Sequence, residues 1–65
     1  MKPHQQRVIN EKTELDEIIN LLSYFICSSS IFGELDNDEQ KRMKRQLNVM
    51  AKYSGILAER IAVFK

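Results

Sequence analysis

Gln46, Tyr53 and Arg60 recur at seven-residue spacing, which places an amide, a phenol and a guanidinium on one line of a helix. A guanidinium forks onto phosphate oxygens, a tyrosine ring can stack on a base, and an amide can read its edge. Beside that line runs an apolar seam, Met43, Leu47, Met50, Ser54, Leu57, Ile61 and Phe64, stepping by four and three as in a coiled coil. A polar and aromatic row flanking such a seam can face a partner helix, a second subunit or a bound ligand. Arg7, Glu11 and His4 extend the candidate set from the other end of the chain.

Catalysis finds no support in the inventory. Ser28, Ser29 and Ser30 with His4 do not make a hydrolase, because no strand-turn-helix elbow or oxyanion loop accompanies them. Glu11 and Glu14 share a helix face, yet with a single His and no glycine-rich loop they suggest salt bridges. One Cys and one His cannot complete a four-ligand metal site, so neither a metal nor another cofactor is expected. The chain is read as a non-enzyme.

Two helices must position these groups. Pro3 suits the first turn of a helix, and no Gly or Pro interrupts the following residues through Cys27. Val8, Glu11, Leu15, Ile18, Leu22 and Phe25 form its predicted inward row. Ser28 to Ser30 propagate helix poorly, and Gly33 lies just beyond. Asp36 followed by Glu39 resembles a capping box that opens the next helix. The expected fold is all-α, one domain over residues 1–65, with helices at about 4–27 and 37–64 and a connection at about 28–36. The short connection folds them into an antiparallel hairpin, with Ile31, Phe32 and Leu35 as a plug over the closed end. His4, Arg7, Tyr53 and Arg60 then gather toward the open end.

Glu11 falls within the predicted seam. A buried carboxylate must be paired or it neutralises. Lys12, Arg7 or Arg60 could reach it, with Ser54 and Tyr53 opposite, either as a polar layer fixing helix register or as part of a ligand site orienting Arg7 or Arg60. The Arg and Tyr residues likewise read either as an anion and nucleobase pocket around a symmetry axis or as an ordinary intersubunit network.

A chain of 65 residues with one cysteine has neither disulfides nor metal to support it, and a core of this size rarely supplies more than about 3–5 kcal/mol. Val49, Ile56 and Val63 repeat at seven beyond the polar row, and Ile19 and Ile26 widen the seam of the first helix. One partner helix cannot cover them all, so a homo-oligomeric helical bundle is expected, with these five residues at the subunit interface. Cys27 reads as a small apolar residue at a helix end, in keeping with a reducing cytoplasm. No signal peptide or membrane span is written in the chain, so a cytoplasmic protein without membrane contact is expected. The net charge of +1 argues against nucleic acid as partner, although residues 31–65 hold seven bases against five acids and Lys41 to Arg45 form a basic patch.

Pro3-His4-Gln5-Gln6-Arg7-Val8-Ile9, then Glu11 and Glu14-Leu15, resembles the opening of a family of short accessory proteins of tailed phages and prophages, relatives of a crAss-like phage protein. Phe25, the Phe32/Leu35 turn, Glu39-Gln40, Gln46-Leu47, Met50, Tyr53, Leu57 and Arg60-Ile61 carry the likeness through nearly the whole chain. Such proteins are similar in size and style to phage anti-defence proteins built on helical hairpins, some of which assemble and sequester the cyclic nucleotides used as bacterial immune signals. The resemblance implies a cytoplasmic sponge in the bacterial host cell, holding a cyclic di- or trinucleotide at subunit boundaries; the residue types point to Arg7, Glu11, Gln46, Tyr53, Arg60 and His4 as its candidate contacts. Two other functions stay open: a module that occupies and inhibits a host protein through Val49, Ile56 and Val63, and a DNA-associated accessory protein using Lys41 to Arg45.

Overall fold

The computed structural model describes residues 1–65 as three helices: α1 (Pro3–Ser28), α2 (Ser30–Glu34) and α3 (Asn37–Ala62). Pro3 opens α1, and the Gln5 side chain reaches back to accept from the Lys2 backbone N–H at 3.2 Å. That bond satisfies one of the donors a helix start leaves exposed. The same Gln5 donates through Nε2 to the Lys65 carbonyl at 3.4 Å, tying the two chain ends together. It is buried, whereas its neighbour His4 is exposed.

The connection is more ordered than a loop. Ser29 ends α1 by donating its N–H to the Phe25 carbonyl, then caps α2 by accepting from Ile31 N–H at 3.2 Å. The serine run therefore punctuates two helices rather than forming a coil. Phe32 is buried and meets Phe25 edge to face at 6.2 Å, with the Lys44 ammonium 5.8 Å from the Phe32 ring centre. Leu35 is half-buried and Ile31 is exposed, so the plug is mainly Phe32. Gln40 closes the turn, its Nε2 donating to the Phe32 carbonyl at 3.0 Å and the Leu35 carbonyl at 2.9 Å. Asp36 caps α3 by accepting from Asp38 N–H at 3.1 Å. Glu39 does not complete the expected capping box, because its carboxylate takes Arg42 Nε at 2.8 Å instead.

α1 packs antiparallel along α3, giving a rod of about 47 × 15 × 14 Å. Val8, Leu15 and Leu57 form the buried centre, with Ile19, Met50, Ile61 and Phe64 packed against it. The predicted α3 seam points inward throughout, every member buried or half-buried. The α1 row differs in phase. Gln5, Val8, Lys12, Leu15, Ile19 and Leu22 face α3, while Glu11 and Ile18 are exposed. Glu11 is thus corrected from a seam residue to a solvent-facing one. Lys12 replaces it because a lysine can lay its methylene stem along apolar surface and deliver its head to a polar partner. Ile19, assigned to an intersubunit contact, already serves the core of its own chain.

Only four hydrophobic side chains are buried, Val8, Leu15, Phe32 and Leu57. Ile18, Leu21, Tyr24, Val49, Ile56 and Val63 are all more than half exposed. No helix is long and apolar enough to cross a membrane. Gly55 lies about three-quarters of the way along α3, and nothing beyond its own turns of helix backbone comes within 4 Å of where a Cβ would stand, so close packing does not explain a glycine there.

Candidate functional site

A polar tie holds one side of the seam. Lys12 Nζ donates to Asp16 Oδ2 at 2.7 Å and to Ser54 Oγ at 3.0 Å, and Ser54 Oγ donates to Asp16 Oδ1 at 2.5 Å. Every polar group of the cluster finds a partner, as a register-setting layer requires. The hydrogen bonds from Lys12 and then Ser54 hold the Asp16 carboxyl below its ordinary value of 3.8. A depressed folded-state value stabilises the fold above the ordinary carboxylate range, and this contribution disappears as pH falls through the folded value. Asp16→Asn should therefore unfold at lower urea than the wild type at neutral pH, with the two curves converging as pH falls through the lowered folded-state value. Parallel urea titrations by circular dichroism would check this; an unchanged gap at acid pH would show that Asp16 contributes through shape alone.

The candidate ligand residues occupy the other side. Residues Gln5, Lys12, Asp16, Ser54 and Lys65 step one way around the two helices; His4, Arg7 and Glu11 on α1 and Gln46, Tyr53 and Arg60 on α3 step the other. All six are exposed, with Tyr53 at 41%. The Lys12–Ser54 and Gln5–Lys65 contacts set the register, placing Arg7 level with Arg60 and Glu11 level with the turn of Ile56. Gln46 is set apart, about 10 Å along the axis from Tyr53. Its amide lies 3.6 Å from Met50 Sδ. The open-end residues thus share a face, and Gln46 belongs to its other half.

On α3 the polar and apolar rows merge. Arg42, Gln46, Val49, Tyr53, Ile56, Arg60 and Val63 step by four and three without a break, forming a second seam about 110° around the helix from the first. All seven residues are exposed. A shallow groove of about 370 Å³ lies along this stripe, lined by Arg42, Arg45, Gln46, Val49 and Met50. Arg7, Arg45 and Arg60 make no ion pair, and Arg42 pairs only through Nε with Glu39. Unpaired guanidinium groups beside apolar and aromatic surface suit an anionic ligand with a flat or apolar part.

Sequence reasoning missed Lys12, Asp16 and Ser54 as a unit, although the four-residue spacing of Lys12 and Asp16 signals a helical pair. It also passed over the groove, because Lys41 to Arg45 read only as a basic patch. Cys27, taken as an apolar helix-end residue, is exposed. No three His, Cys, Asp or Glu side chains cluster to hold a metal ion.

Neither a curated protein nor a solved structure matches the chain. A family model does, over residues 2–63 and hence both long helices and the turn between them. The chain belongs to the Sequestin family.

Proposed function

We propose that this protein is a phage accessory anti-defence protein, a non-catalytic homo-oligomer that sequesters a cyclic nucleotide immune signal at subunit interfaces in the bacterial host cell. The family name describes a sequestering protein, which is a binding role rather than a catalytic one. The observation that carries the reading is the exposed α3 stripe, where cationic, aromatic and amide groups alternate with Val49, Ile56 and Val63. Arg60 and Arg7, level with each other on one face, supply phosphate contacts, Tyr53 supplies a stacking surface, and Gln46 an amide for a base edge. His4 and Glu11 border this face; Glu11, freed from the seam, orients a neighbouring guanidinium or a ligand donor. Apolar surface between the polar groups draws subunits together and excludes water from the pocket. A sequestering role requires that release return the ligand intact.

Calorimetry against a panel of cyclic di- and trinucleotides should find one bound reversibly and recoverable unchanged. Arg60→Ala should weaken that binding at least tenfold, the cost of about 1.4 kcal/mol or more expected from losing a charge-assisted contact, while the oligomer persists. Binding of no cyclic nucleotide at micromolar concentration by assembled wild type would sink the sponge reading. The exposure of Val49, Ile56 and Val63, at 59%, 55% and 73%, favours as second reading a module that occupies a host protein through this helix face.

A further inference from the structure

Arg42 and Arg60 lie on the same line of α3, 18 residues and therefore five full turns apart. At 1.5 Å per residue they are separated by about 27 Å, too far to grip one phosphate within one chain. Both belong to the stripe that its own hairpin leaves uncovered. We propose that α3 pairs antiparallel with α3 of a second copy, so that Arg42 and Gln46 of one protomer and the partner's Arg60 form a phosphate site. This deepens, and rests on, the sequestering reading above.

The stripe is built to meet itself. With the two-fold axis between Val49 and Tyr53, Val49 meets the partner's Tyr53, Gln46 meets the partner's Ile56, and Arg42 meets the partner's Arg60. Beside that seam, Arg45 lies on the same side as the partner's Glu59 and about 3 Å from it along the axis, two opposite charges that are both exposed and unpaired in the single chain. A register one heptad longer would leave Arg42 and Arg45 beyond the end of the partner helix and the groove uncovered. A second copy is also the occupant that the small core calls for, since only four apolar side chains are buried within one chain.

The end layer explains the ligand. Two guanidinium groups facing each other repel, and an anion between them turns repulsion into a charge-assisted clamp. Arg42 is held in place through Nε by Glu39 at 2.8 Å, which leaves its terminal nitrogens free to fork onto a phosphate. Val49 and Met50 give the groove an apolar bed beside that phosphate, and the Gln46 amide supplies a donor and an acceptor. Symmetry creates two such sites per dimer. The ligand class is a phosphodiester or other phosphate whose adjoining group is flat and apolar.

Two measurements test this without relying on each other. In a Cys27→Ser background, a mixture of Val49→Cys and Tyr53→Cys proteins without ligand should form a disulfide-linked heterodimer much faster than either forms a homodimer. No such preference would overturn the pairing. Titration with inorganic pyrophosphate, followed by phosphorus NMR, should show binding to wild type that weakens at least tenfold in Arg42→Ala and in Arg60→Ala. Co-expression of those two variants should restore about one quarter of the wild-type sites, because half the dimers are mixed and each holds one intact site. Absent wild-type binding, or no recovery in the mixture, would overturn the shared site. Crosslinking and pyrophosphate binding without affinity for any cyclic nucleotide would remove the sponge function alone. Cyclic nucleotide binding that needs Arg60 but does not recover in the mixture would remove the composite site alone.

Discussion

Leu57→Ala is expected to leave the chain largely unfolded at room temperature. Leu57 is 1% exposed, the most buried side chain in the molecule, and sits between Val8 and Leu15 at the centre of the core. Truncating a fully buried leucine costs about 2–5 kcal/mol, from lost transfer energy and the cavity left behind. A core of this size supplies about 3–5 kcal/mol in all, so one substitution removes most of the margin. Far-ultraviolet circular dichroism during a urea titration reads the result directly. A variant that unfolds cooperatively at nearly the wild-type urea midpoint would mean that the core has collapsed around the gap, or that stability comes chiefly from association.

Ile56→Asp is expected to convert the assembled protein to monomers while the hairpin stays helical. Ile56 is 55% exposed in the single chain, so the change removes little from the intrachain core. Across a symmetric interface the loss counts twice. Burying an isoleucine contributes about 1.5–3 kcal/mol, and an unpaired carboxylate adds a desolvation cost. The combined effect should weaken association by a factor of about 100 or more. Light scattering at micromolar concentration should move from a multiple of 7.6 kDa to that mass itself. Wild type already at 7.6 kDa would remove the intersubunit site altogether, and a variant still assembled would place the interface on another face.

The hairpin was legible because α3 carries an unbroken four-three rhythm and no residue before the serines breaks α1. The phase of α1 was not. Val8, Leu15 and Leu22 belong to two candidate rows, one passing through Glu11 and Ile18 and the other through Lys12 and Ile19. Both rows alternate one charge with aliphatics, so periodicity weighs them equally. What separates them is reach: Lys12 can span to Ser54 with Asp16 as counter-charge, a relation between helices that no single-helix pattern contains. The turn was misread for a similar reason. Ser29 was taken for its low helix propensity, whereas its hydroxyl serves as a cap. The α3 face was legible as two rows, but their union into one stripe with a groove needs the exposure of Arg42, Gln46 and Val49 together.

The small core bears on turnover. A fold with four buried apolar side chains has little margin against local opening, so a free copy visits protease-sensitive states often. Whatever binds only the folded form lowers that frequency by mass action, by about 2.7 kcal/mol when the ligand stands at a hundred times its dissociation constant. Occupied copies would then outlive empty ones in the cell. The lifetime of the protein would report the abundance of its ligand, with no sensor beyond its own marginal fold.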